Sequence, residues 1–103
     1  MTNRNDLKTW VEISKPAIKS NFLNLKKILG NKTKFMAVVK SNAYGHGMIQ
    51  YAKEVSKLGA DFLAVDDIYE AILLRKNGIK KPIGSGGIRP YSYSSRTQYR
   101  AKF

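Results

Sequence analysis

A chain of 103 residues and 11.6 kDa fits one small domain, and it is too short for a closed barrel of eight βα units, which needs about 250 residues. Apolar residues make up 43% of it, no window approaches the ~20 uncharged apolar residues of a membrane span, and Met1 to Lys8 carries Arg4 and Asp6 where a secretory leader needs an apolar stretch. With no cysteine, disulfides and thiol catalysis drop out and no metal site is expected, while the missing leader points to the cytoplasm.

The formal net charge is +12, enough to draw in nucleic acid or anionic lipid if it gathers on one face. Residues 1–83 set 15 basic side chains against 7 acidic ones, whereas residues 84–103 hold Arg89, Arg96, Arg100 and Lys102 with no acid. Lysines on the helices read as solvated faces, so neither nucleic acid nor membrane is the expected partner.

In chain order, Thr9 to Ile13 alternates apolar and polar residues and predicts a short strand with Trp10 or Val11 and Ile13 inward. Pro16 suits a first helical turn, Ile18, Phe22, Leu25 and Leu29 follow at helical spacing, and Gly30 ends that helix. Lys34 to Lys40 is an apolar run between lysines, the pattern of a parallel strand covered on both faces. After a loop from Ser41 to Gly47, a second helix carries Met48, Ala52 and Val55 and stops at Gly59. Asp61 to Asp66 is the next buried strand. Asp67 and Glu70 resemble a capping box that opens a helix through Ile68, Ala71, Ile72 and Leu74 to Gly78. Lys81-Pro82-Ile83 begins another strand, which Gly84-Ser85-Gly86-Gly87 is not expected to continue. This order of strands and helices with short connections predicts an α/β fold with parallel pairing.

Along the central strand Met36, Val38 and Lys40 share one face and Phe35, Ala37 and Val39 the other. Lys40 therefore ends the strand beside apolar neighbours, at the end where parallel α/β folds carry their chemistry. A desolvated amine is a better nucleophile toward a carbonyl. A strand-ending lysine can equally snorkel to water. The loop that follows adds a phenol, an imidazole and two glycines at a helix start, a place that suits phosphate; the same turn can be no more than a tight loop around a packed Tyr44.

Val38-Val39-Lys40-Ser41-Asn42-Ala43-Tyr44-Gly45-His46-Gly47 resembles the pyridoxal-phosphate attachment signature of the alanine racemases, with Ser41 where their usual form has Ala. The flanks agree in order: Trp10 to Ile13, the Asn21 helix, Gly59-Ala60-Asp61, and the Glu70 to Arg75 helix closing at Gly78-Ile79. The resemblance runs from about Thr9 to Ile83 and implies the opening part of a TIM barrel, an incomplete (β/α)8 unit with an N-terminal strand and the first two to three βα units. It implies that Lys40 binds pyridoxal 5'-phosphate covalently and acts as one of two catalytic acid/bases, that Tyr44 donates a hydrogen bond to the cofactor phosphate, and that the substrate is alanine, in an isomerase supplying D-alanine for peptidoglycan. Family members are homodimers. Their second base, a tyrosine from a later domain of the partner, and the arginine facing the cofactor's ring nitrogen have no counterpart here, so negligible racemisation is expected of this chain alone.

His46 and Asn42 are expected to shape the loop rather than to catalyse, and Asp66 and Asp67 to cap a helix. The division expected is a partial barrel over 1–83 and a disordered basic Ser/Tyr/Arg tail over 84–103 that falls outside the family resemblance, its Gly87-Ile88-Arg89-Pro90 being compatible with a frameshifted or truncated reading frame. Two other readings compete. One is a small basic module stacking Tyr91, Tyr93 and Tyr99 on single-stranded nucleic acid; the other is a partner-dependent piece with exposed strand edges. In an open barrel Val38 and its neighbours would meet water, and folding would be marginal.

Overall fold

The computed structural model describes residues 6–85. Helix α1 (Lys15–Leu29), strand β1 (Met36–Val38), the short turn α2 (Lys40–Tyr44), helix α3 (Met48–Leu58), strand β2 (Phe62–Val65), helix α4 (Ile68–Lys76) and strand β3 (Ile83–Ser85) follow in that order. The three strands pair in parallel as β1-β2-β3, with Ala37 opposite Leu63 and Leu63 opposite Ile83. This is the alternation that the sequence predicts for a partial βα barrel.

Local chemistry sets the ends of the helices. Ser14 caps α1, its hydroxyl accepting from the Ala17 amide at 3.2 Å, and Pro16 sits in the first turn where its missing N–H costs nothing. Gly30 ends the helix at φ +79°, a conformation that favours glycine. Ile18 and Phe22 are buried, and the Phe22 ring stacks on Phe35 at 4.4 Å between centroids. Leu25 and Leu29, expected inward, are exposed instead; α1 packs against α3 with Ile18 and Phe22 as its buried residues. Lys15 and Glu54 join the two helices at 3.3 Å.

Helix α3 buries Met48, Ala52 and Val55, as the spacing predicts, and ends at Gly59. Helix α4 buries Ala71 and Leu74 but leaves Ile72 exposed. At its end the Arg75 fork donates to the Ile79 and Lys81 carbonyls at 2.7 and 2.8 Å, which fixes the approach to β3. Burial pulls its guanidinium pKa below the usual value.

The structure corrects three further expectations, all about strands. No strand forms over residues 9–13: Trp10, Val11 and Ile13 are exposed, because the sheet offers that segment no ladder partner. Strand β1 is not covered on both faces; Ala37 and Val39 are buried under helices while Met36 is 51% and Val38 45% exposed. That agrees with the expectation that an open barrel leaves Val38 facing water. The last strand also does not stop at Ile83. Gly84 and Ser85 pair with Ala64 and Val65, since a parallel ladder needs only backbone groups and Gly84 has them. The rest of the tail, with Tyr91, Tyr93 and Tyr99, lies outside the described residues. Among the described residues no helix is long and apolar enough to cross a membrane.

Candidate active site

The sheet has two unlike faces. Ala37, Val39, Leu63, Val65 and Ile83 point into the core. On the other face Val38, Ala64 and Gly84 stand in one register row. Two of these three residues are small, and above the row lies a cavity of about 590 Å³, within the usual size of a small-molecule site. Lys40 and Tyr44 both line it, together with Asp66 and Ser85 at the strand ends. Lys40 is half-buried and, among the described residues, takes part in no ion pair. Tyr44 is largely exposed, so the reading of a packed tyrosine does not hold.

The backbone between these two side chains is unusual. Ser41, Asn42, Ala43 and Tyr44 all have φ of 54 to 56°. Left-handed backbone costs an L-residue about 1–2 kcal/mol, and four such residues in a row persist only if their surroundings impose the shape. The surroundings are specific. Ala43 is buried and its amide donates to the Val39 carbonyl at 2.9 Å. His46 Nδ1 lies 2.8 Å from the Ala43 carbonyl, which can only accept, so this nitrogen carries the proton. The Asn42 side chain accepts from the Met48 amide at 2.8 Å, and the Ser41 amide donates to Glu70 Oε2 at 3.0 Å. Gly45 closes the turn at φ +97°.

Most of the loop roles expected from the sequence are therefore met. His46 fixes the loop and Asn42 forms the turn. The expectation of phosphate at the start of α3 loses ground, because Asn42 already takes the amides of Gly47 and Met48. Asp67 caps α4, accepting from the Glu70 amide at 3.0 Å. Asp66 contributes through its backbone instead: its N–H donates to Glu70 Oε1 at 2.7 Å and its carbonyl accepts from the Ser85 hydroxyl at 2.8 Å. The capping box is altered accordingly, since the Glu70 carboxylate goes to Asp66 and Ser41 rather than to Asp67. Sequence reasoning recognised Glu70 as a capping residue and missed its reach across 29 positions to Ser41; nothing in local spacing signals that contact. Among the described residues no group of three or more His, Asp or Glu could hold a metal.

An apolar-floored cavity with a phenol at its rim and an amine that has no ion-pair partner among the described residues fits a cofactor that has an aldehyde and an anionic group. Comparison with known proteins identifies the family. Residues 13–102 match the family model for the N-terminal domain of alanine racemase. Alanine racemase 1 of Bacillus subtilis is 51% identical over 85 residues, 82% of this chain and 22% of the relative. The alanine racemase of Geobacillus stearothermophilus is 44% identical over 93 residues, 89% of this chain and 24% of the relative. Among solved structures, the alanine racemase from E. faecalis superposes with TM-score 0.72 at 36% identity, covering 84% of this chain and 24% of that one. The Bacillus anthracis alanine racemase with bound L-Ala-P gives TM-score 0.69 at 39% identity, covering 74% and 20%. The chain thus spans about a quarter or less of the length of these relatives. Its partial barrel, its lysine at the strand end and these matches place the chain in the alanine racemase family, within the N-terminal domain.

Proposed function

We propose that this chain provides the cofactor-holding corner of an alanine racemase, with Lys40 as the residue that binds pyridoxal phosphate and exchanges a proton with the substrate. The observation that carries this reading is the presence of Lys40 and Tyr44 on one cavity at the carboxyl ends of parallel strands. When bound, pyridoxal phosphate supplies an electron sink for negative charge at the substrate α-carbon. The chain's own residues do the rest. Lys40 Nζ would hold the cofactor through its aldehyde carbon and, as a free amine, would remove or return the substrate α-proton on its side of the cavity. The Tyr44 hydroxyl would hold the cofactor's phosphate by donating a hydrogen bond to it. Val38, Ala64 and Gly84 would lie beneath the cofactor as the floor of the cavity.

A relative bound to L-Ala-P supports an alanine-like substrate for the assembled enzyme. Racemisation needs a second base on the opposite face, which the resemblance assigns to a partner's tyrosine. This chain by itself is expected to bind cofactor and to racemise negligibly. Mixing the purified chain with pyridoxal phosphate should give a visible absorbance band that is missing in Lys40→Ala. Identical spectra for the two proteins would remove the cofactor assignment.

A further inference from the structure

Glu70 lies in the first turn of α4, where its own amide is held by Asp67 Oδ1 at 3.0 Å. In a capping box its carboxylate would return to the amide of the capping residue. Here the two oxygens part company: Oε1 accepts from Asp66 at 2.7 Å and Oε2 from Ser41 at 3.0 Å. One carboxylate thereby ties the exit of β2 to the exit of β1. Both bonds have a charged acceptor and are stronger than neutral amide bonds.

Ser41 is the first of the four left-handed residues that separate Lys40 from Gly45. Among the described residues its hydroxyl makes no hydrogen bond that could impose this shape, and a free serine prefers right-handed or extended backbone. The direction in which Lys40 and Tyr44 leave the backbone depends on that turn keeping its hand. We infer that Glu70 is the positioning residue that holds Lys40 and Tyr44 toward their common cavity, an inference that rests on the cofactor reading of Lys40. Glutamine cannot replace it, because a primary amide has one acceptor oxygen and would set its NH₂ against the second amide.

Three measurements on the full chain test this. In the isotope-labelled protein without cofactor, trans-hydrogen-bond couplings should join the amide nitrogens of Ser41 and Asp66 to one carboxyl carbon, that of Glu70; this needs no variant, and the absence of the Ser41 coupling overturns the inference. In Glu70→Gln, hydrogen exchange at the Ser41 amide relative to that at Leu63, which reports global opening, should rise at least about tenfold. Borohydride-trapped pyridoxal phosphate on Lys40, read by peptide mass, should fall by a comparable factor. Asp67→Ala removes the cap of α4 but leaves the Ser41 acceptor, and should move each ratio by less than about twofold. Equal changes in both variants, the behaviour of a residue that only stabilises α4, overturn the positioning role, and so does unchanged relative exchange at Ser41 in Glu70→Gln. No trapped cofactor on the unaltered chain overturns the cofactor reading and the link to Lys40, whereas the coupling and exchange measurements still decide whether Glu70 holds the turn.

Discussion

The two faces of the sheet use the same three strands for opposite ends. On the helix-covered face Val39, Leu63, Val65 and Ile83 are almost wholly buried, and close packing fixes their positions. On the open face Val38 and Met36 are about half exposed, and Ala64 and Gly84 leave a hollow beside Lys40. One face provides the free energy of folding, and the other provides a site that a fully packed surface could not contain. The same division separates the loops. The turn from Ser41 to Tyr44 has left-handed backbone held by several hydrogen bonds, whereas the turn into α4 has extended backbone at its cap, Asp67.

Substitutions on the two faces can break or sharpen this contrast. Leu63→Ala on the closed face should destabilise by about 2–5 kcal/mol through lost burial and a cavity, while Val38→Ala on the open face should cost less than about 1 kcal/mol. Chemical denaturation of both variants decides, and equal losses would show that the open face is packed in solution. Tyr44→Phe removes a hydroxyl that makes no bond within the described residues, so it should leave the melting curve unchanged. It should weaken pyridoxal-phosphate binding about tenfold or more, the worth of a hydrogen bond to a charged group, as read by titrating the absorbance band. The smallest effect is expected within the strained turn. Ser41→Gly keeps the amide that Glu70 needs and relieves a left-handed residue at the expense of unfolded-chain entropy, so a gain of up to about 1 kcal/mol is expected. A loss of stability in that variant would mean that the serine side chain supports the turn.

The helices were the most legible elements. Pro16, Gly30, Gly59 and Asp67 mark ends by chemistry within a few residues, and Ile18, Phe22, Met48, Ala52 and Val55 lie at helical spacing. Lys40 and Tyr44 stood out because their neighbours match a known signature. The exposure of Leu25 and Ile72 was not legible, since spacing defines a helical face but not how far the neighbouring element extends along it. Residues 9–13 failed for a related reason. An alternating segment becomes a strand only beside a partner, and the three-stranded sheet provides none at that point.

By itself the sequence determined the capped helix ends, which depend on contacts between residues close in the chain, and the order of apolar runs and helical spacings that places an amine at the tip of β1. The tertiary structure alone decided that Gly84 continues a strand, that four residues without glycine turn left-handed, and that Glu70 reaches Ser41. Those features depend on pairings that span the fold, and no short-range pattern encodes the free energy of a contact between residues 29 positions apart.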